Sequence, residues 1–466
     1  MRSEKDAHVS HPSAGKPSED AGLGVPFSRR DAVIPRTMMQ PLQRFAATES
    51  ASGVLLGLMA LVALAWANSP WHEAYTSLWH TELGLEAGVF SLRLSLHEWI
   101  NDGAMALFFF VVGMEIKREL VHGELRNPRA AALPVIAAIG GMVAPALIYT
   151  AFNAGEPTSG GWGIPMATDI AFAVGALVVL GKRLPPGLKV FLLTLAVADD
   201  LGAIAVIAVF YSRGVAFGWL AAMAVAAAVV VFARRAGIRW LTPYVLLAAF
   251  MWYACLQSGV HATIAGVVLG FLTPSVPFHH PKRAAAVLHD QLDRVVETEP
   301  GEDVDVDEYE LVEVARLARE AVSPMSRMQN ALHPWSAFLI LPVFALANAG
   351  VRVVGADIGE LATQPVTLGV LFGLVLGKPV GIVAASWIAT KLRVGILPHG
   401  TTWPSVTAVG LFAGIGFTVA LFVAELSFTD PHVTDASKVG ILAASLLAAI
   451  LGGVIASAVT HRPRTD

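Results

Sequence analysis

The chain has 466 residues, 55% apolar and only 15% charged, with a mean hydropathy of +0.61; a soluble domain carries about a quarter charged residues, so a water-soluble globule is excluded. The formal net charge of -4 gives no global field for nucleic acid and no basic groove. Cys255 is the single cysteine and lies in an apolar stretch, which excludes an intramolecular disulfide or a thiolate cage and leaves it a small apolar residue.

Residues 1–45 are polar, rich in Pro and Ser with both charge signs, and read as a disordered cytoplasmic tail. Ser28-Arg29-Arg30 has the arginine pair of an export signal, but the next apolar run is long enough to span, so juxtamembrane anchoring is the reading adopted. From Ser50 onward, apolar runs of 18 or more residues recur, each long enough at 1.5 Å per residue to cross a hydrocarbon core of about 30 Å. These predict an all-α membrane protein of about 12 transmembrane helices. The expected spans are 50–68, 97–116, 131–152, 164–181, 187–211, 217–233, 240–257 and 259–273 within a first block, 46–278, and 335–351, 365–390, 403–426 and 438–459 within a second, 327–460. Residues 461–466 form a short cytoplasmic tail.

Basic residues cluster after even-numbered spans: Lys117, Arg118, Arg126 and Arg129; Lys182, Arg183 and Lys189; Arg234, Arg235 and Arg239; Lys282 and Arg283; Lys391 and Arg393. The positive-inside bias therefore places these clusters and both termini in the cytoplasm of a multi-pass protein.

Two loops stand out. Near 84–96, Val89 to Leu96 alternates apolar and polar residues, the pattern of a hairpin strand on the outer side. Such an edge can pair between subunits or lie as a lone surface ribbon. The cytoplasmic stretch 279–326 holds an acidic run, Glu297 to Glu310, then a helical pattern with Leu311, Val314 and Leu317 on one face. Asp303, Asp305 and Asp307 alternate as calcium ligands do, but the glycine and terminal glutamate of a calcium loop are not in place, so this is read as a solvated acidic insertion.

A charged side chain at the bilayer centre costs about 2.5 to 3.5 kcal/mol on insertion scales, which makes each one a functional hypothesis. Asp199 and Asp200 follow the apolar run Val190 to Ala198 and precede another, Leu201 to Phe210. Counting from Lys189 puts them about 16 Å into the membrane, close to its middle. Neighbouring carboxylates on a helix point about 100° apart, so both can border one cavity. Repulsion and desolvation disfavour two charges there at once, so the site can hold either protons or a cation. Asp169 lies in Gly161 to Ile170, a short apolar segment punctuated by Gly and Pro, where unwound backbone is expected. Taken alone, Asp169 is as readily an inter-helix anchor as a transport residue. Gly410 to Thr418, with Gly414 and Gly416 at its centre, is a comparable interrupted segment. Paired broken helices point to an ion site between inverted-topology repeats, with the two breaks crossing at mid-membrane. Lys378 sits among Gly369, Gly373, Gly377 and Gly381, a small-residue face that admits a close neighbour. A buried ammonium needs a carboxylate, and Asp199 and Asp200 lie at matching depth.

These residues resemble the NhaA-type sodium/proton antiporters, a family that itself exemplifies inverted transporter repeats. The marks are Trp99-Ile100-Asn101-Asp102, Phe108 to Leu120, Ala167 to Ala173, Asp199 to Ala203, Leu332-His333-Pro334-Trp335, Ala347 to Val351 and Gly377-Lys378-Pro379, within Gln40 to Ala458. The resemblance implies electrogenic, pH-regulated export of sodium or lithium in exchange for protons, with no cofactor. It implies that Asp200 coordinates the metal ion, that Asp199 carries protons and pairs with Lys378, and that Asp169 with Thr168 shapes the site at the crossed breaks. It also implies a homodimer joined through the outer hairpin in the cell (plasma or inner) membrane, with Glu115 and Arg118 in a pH-sensing funnel. Gln329 and Asn330 stand where the best-studied family pattern has an acid and a histidine, so the pH set-point does not carry over. Rival readings fare worse. An ATP-driven pump lacks a Walker loop, a channel does not need buried proton-binding groups, an aspartyl-protease dyad leaves Lys378 unexplained, and a retinal pigment predicts fewer spans and visible absorbance.

Overall fold

A computed structural model describes residues 49–87, 90–180, 185–212, 214–238, 240–278, 287, 308–354, 358–398 and 400–460. The amino-terminal tail, the acidic run from Glu297 to Asp307, the basic residues Lys182, Arg183, Arg239, Lys282 and Arg283, and the last six residues lie outside them. The described chain is almost wholly helical: α1 Glu49–Ala67, α2 His72–Trp79, α3 Leu96–Val121, α4 Pro128–Asn153, α5 Ile170–Leu180, α6 Pro186–Phe210, α7 Phe217–Arg235, α8 Leu241–Gln257 and α9 Thr263–Leu272. After the insertion come α10 Glu308–Glu320, α11 Pro324–Asn348, α12 Pro365–Lys391, α13 Trp403–Ala413, α14 Phe417–Ser427 and α15 Pro431–Thr460.

Among the described residues seven helices are long and apolar enough to cross a membrane, or up to nine if each bent pair is one span; the pairs are α1 with α2, bent by 116°, and α13 with α14, bent by 48°. The expectation of twelve exceeds this count. The shortfall falls on α5, α8 and α9, which have 11, 17 and 10 residues, and so reach about 16, 26 and 15 Å along the axis. A stretch of 3-10 helix, Pro157–Met166, and three residues outside any helix precede α5, so that crossing is a composite rather than one helix. The α11 helix begins eleven residues before the expected position 335, because Ser323 caps it, its hydroxyl accepting from the Ser326 amide at 3.2 Å, and Pro324 supplies the first turn.

The hairpin expected near 84–96 forms. Strands β1 Glu82–Ala87 and β2 Phe90–Ser95 pair antiparallel with Glu82 opposite Ser95 and Ala87 opposite Phe90. Its second strand runs straight into α3 through a capping box: the Glu98 amide donates to Ser95 Oγ at 3.2 Å and the Ser95 amide to Glu98 Oε2 at 2.7 Å.

The glycine stripe of α12 meets α4. A methyl group on Gly377 would lie 2.8 Å from the Pro145 Cα and one on Gly381 would collide with the Gly140 carbonyl, so no side chain fits between these helices. Without water to drive association, such close approach supplies the packing energy in lipid. Pro379 has no amide to give the carbonyl one turn back, and a π turn, Gly373–Gly377, widens the helix immediately before it. That turn sets the orientation of Lys378, the first residue of the α-helical part that follows.

Two family marks prove to be ties between helices. His97 Nε2 lies 2.9 Å from Asn348 Oδ1, and Asn348 Nδ2 donates to Asn101 Oδ1 at 3.0 Å, joining α3 to the end of α11. Asn68, just after α1, donates to the Val351 carbonyl at 2.8 Å and accepts from the amides of Val353 and Val354 at 2.7 and 2.8 Å. Each tie satisfies backbone or amide groups that would otherwise be unpaired at an apolar depth.

Candidate functional site

The site grows from α6. Pro186 starts that helix, and Asp199 lies thirteen residues after it and eleven before Phe210, midway along the span. Asp199 is fully buried and Asp200 is 6% exposed. Lys378 of α12, also fully buried, donates from Nζ to Asp199 Oδ2 at 2.7 Å. Its ammonium also donates to the Met166 carbonyl, at the end of the 3-10 stretch before α5. The structure therefore joins Lys378 to Asp199 rather than to Asp200.

The second carboxylate is left over. Asp200 Oδ1 and Asp199 Oδ1 are both buried with no hydrogen-bond partner. The charges that bear on Asp200 are those of Asp199, Glu115, Lys378 and Asp169. Since Lys378 and Asp199 neutralise each other, a second ionised carboxylate there has no fixed counter-charge, and a buried charge without one is costly. A proton or a small cation would supply it. Unpartnered carboxylate oxygens are the hard donors that an alkali cation accepts, and a proton competes for the same atoms.

Asp169 is placed otherwise. It lies in the break before α5, and its carboxylate ties that break to the one between α13 and α14. Oδ1 accepts from the Phe172 amide at 2.9 Å, and Oδ2 accepts from the Thr418 amide at 3.1 Å and from the Thr418 hydroxyl at 2.5 Å. The Asp169 amide donates to the Ile415 carbonyl at 2.8 Å, and Thr168 Oγ1 donates to the Ala413 carbonyl at 2.8 Å. So the two broken helices cross and bond to each other through the residues at their breaks. The N-terminal ends of α5 and α14 both point at one carboxylate, where their partial positive charges suit a negative group. Thr168 also lies beside the Asp199 carboxyl, which links the crossing to the aspartate pair.

Gly414 and Gly416 flank the break: an added methyl on Gly414 would stand 2.5 Å from the Leu374 carbonyl, so the crossing needs bare backbone there, while one on Gly416 would stand 3.2 Å from the Ala167 carbonyl, a tighter fit than ordinary contact. Glu115 lies on α3, where His333, Arg118 and Glu119 are the titratable groups that bear on it; Arg118 is exposed. Gln329, on the part of α11 that packs beside α3, is 6% exposed and neither of its side-chain atoms finds a partner. Among the described residues no three His, Cys, Asp or Glu side chains converge on one point, so Asp169 does not join the aspartate pair in a single cage. Nor do Asp169 and Asp199 offer a protease-like dyad, since both Asp169 oxygens and one of Asp199 are already engaged.

Thr418 has no role in the sequence reading although it stands within the glycine-interrupted segment. Its signal was available: a threonine in the first turn after a glycine break offers both an amide with no partner in its own helix and a hydroxyl to a nearby carboxylate. Replacing it by valine is expected to leave Asp169 short of one buried bond and to lower stability by about 1.5 to 3 kcal/mol. Melting of the purified protein in detergent would check this, and an unaltered Tm would mean that the crossing holds without that hydroxyl.

Comparison with known proteins gives the same frame. A family model described as Na+/H+ antiporter 1 matches residues 43–456. The chain is 46% identical to the Na(+)/H(+) antiporter NhaA of Janthinobacterium sp. (strain Marseille) over 94% of this chain and 96% of that one. It is 46% identical to Na(+)/H(+) antiporter NhaA 2 of Myxococcus xanthus (strain DK1622), over 91% of this chain and 90% of the other. It is 45% identical to the Na(+)/H(+) antiporter NhaA of Helicobacter pylori (strain J99 / ATCC 700824), over 90% of this chain and 96% of that one. Likeness that runs through nearly the whole chain, across both helix breaks and the aspartate pair, settles the family: this chain is a member of the Na+/H+ antiporter 1 family.

Proposed function

We propose that this protein is a secondary active transporter that moves sodium out in exchange for protons, with Asp200 and Asp199 as the groups at which the two compete. The observation that carries the reading is the pair of buried, unpartnered carboxylate oxygens beside a lysine already committed to Asp199. Asp200 takes the sodium ion. Asp199 carries a proton when it parts from Lys378, and Lys378 holds the site together in the empty state. Asp169 and Thr168 maintain the crossing of the two breaks, so that the backbone around the ion is preorganised. Alternating exposure of this one site to the two sides then couples the fluxes, since a site that holds either cation but not both cannot leak one without the other.

Lithium, a smaller hard cation, suits the same oxygens and is expected to be carried. Exchange in which two carboxylates are reprotonated for each sodium released is electrogenic. The clusters of Lys and Arg after even-numbered spans support cytoplasmic termini and a place in the cell's plasma or inner membrane. The antiparallel hairpin ahead of α3, with an open strand edge, supports a homodimer paired through that edge. Glu115 and Arg118 are the proposed pH-responsive groups; Gln329, uncharged, gives them no acidic partner on α11.

The test is proton movement in proteoliposomes that hold a pH gradient reported by a dye. Adding sodium should collapse the gradient, and lithium should do the same. Because protons occupy the same atoms, the sodium concentration needed for half the response should rise as pH falls, about tenfold per pH unit for each competing proton. No response at any pH would remove the exchange reading. A half-saturating concentration that ignores pH would remove the shared site.

A further inference from the structure

Along the outer flank of the helix that carries Lys378 runs a groove that ion exchange does not use. It is a cavity of about 720 Å³ between α12, α13 and α15, with Val375 and Leu376 at one end, Trp387 and Trp403 at the other and Leu451 across from them. Leu376 and Trp387 are each half exposed and Val380 60% exposed, so the groove opens away from the protein interior. The Thr407 hydroxyl in its wall is spent on the Trp403 carbonyl at 3.1 Å, which leaves an apolar trough.

Length and charge say what fills it. Val375 to Trp387 is twelve steps along the helix, about 18 Å, against about 15 Å for half of a 30 Å hydrocarbon core. One acyl chain of one leaflet matches that run. The tryptophan end is basic: Lys391 Nζ stands 4.6 Å above the centre of the Trp387 ring, and Arg393 is exposed two residues further on. Among the described residues no carboxylate pairs with either cation. Tryptophans at headgroup level with free cations beside them form the boundary an anionic lipid recognises.

We propose that this groove binds one anionic glycerophospholipid, with an acyl chain lying along Val380 and Trp387 and the headgroup phosphate against Lys391 and Arg393. The inner end of the chain then abuts Val375 and Leu376, inside the π turn that sets Lys378, so the lipid braces the helix on which the buried ion pair depends.

The experiment uses the full chain in detergent, with phosphatidylglycerol and phosphatidylcholine of identical chains added in turn and Tm recorded. Phosphatidylglycerol is expected to raise Tm by a few degrees beyond phosphatidylcholine, as any ligand of the folded state does. Lys391→Gln with Arg393→Gln should lose most of that excess, and Ala384→Trp, which fills the middle of the groove, should lose it as well. Water-soluble glycerol phosphate should have no effect. Equal shifts from the two lipids, or an undiminished excess in the glutamine variant or in Ala384→Trp, would overturn the proposal. A shift with glycerol phosphate as large as with the lipid would also overturn it, since an anion would then bind with no chain in the groove. A second readout does not depend on melting: phosphatidylglycerol with brominated chains should quench a smaller share of the fluorescence in Trp387→Phe/Trp403→Phe than in the parent, and an unchanged share would count equally against it.

Discussion

Replacing Lys378 by alanine lowers the stability of the folded protein by about 3 to 5 kcal/mol, the range for breaking a buried pair from one side. The lysine is fully buried, its ammonium bonded to Asp199 Oδ2 at 2.7 Å and to the Met166 carbonyl. Alanine leaves both acceptors without a donor in a region that water does not reach. Asp199 already has one unpartnered oxygen and would then have two. The carboxylate must take up a proton, which offsets part of the loss but not the cavity left by three methylenes and an ammonium. Removing Asp199 in the same molecule should recover several tenths of the penalty or more, because the orphaned charge goes with it. Thermal melting of the single and double variants checks this. A Lys378→Ala protein as stable as its parent would mean that the pair adds nothing to the fold.

Asp200→Asn behaves in the opposite way. It is expected to fold with undiminished or slightly higher stability while sodium-driven proton movement falls to the level of empty vesicles. The Asp200 carboxylate has no hydrogen bond or ion pair among the described residues, so an isosteric amide gives up no contact. It removes a charge that had no fixed partner, which is a gain for the fold. What it loses is the ability to be neutral with a proton and neutral with a cation in turn. Full exchange by this variant would move the site elsewhere, and collapse of the fold would show that Asp200 is structural.

The strength of the sequence signal differs between these residues for a physical reason. Asp199, Asp200 and Lys378 were legible because a charge amid an unbroken apolar run is expensive and stands out against its neighbours. That Lys378 would seek one of the two aspartates followed from the same cost. Which of the two came only from the family resemblance, because neighbouring positions on a helix differ by about 100° in direction and nothing local fixes the rotation. The π turn at Gly373–Gly377, immediately before Lys378, changes the rotation of the helix there, and such a turn has no sequence signature beyond Pro379 itself. The breaks at Asp169 and at Gly414 to Gly416 were marked by Gly and Pro, but Thr418 as a donor to Asp169 depended on the crossing, which only three dimensions supply. The span count suffered from the same cause. Helices α5 and α9 are too short to cross alone, and a hydropathy run does not distinguish one straight helix from a composite.

The bond from Thr418 to Asp169 spans 249 residues of sequence. At about 5 to 20 residues per second of synthesis, the chain carrying Asp169 waits roughly 12 to 50 seconds before its partner exists. Asp199 waits for Lys378, 179 residues later, for roughly 9 to 36 seconds at the same speed. During that interval the first half of the protein holds buried carboxylates whose designated donors have not been made. The site thus closes late, and a chain stopped before Lys378 would be an inserted bundle with its central carboxylates unanswered, a natural target for quality control at the membrane.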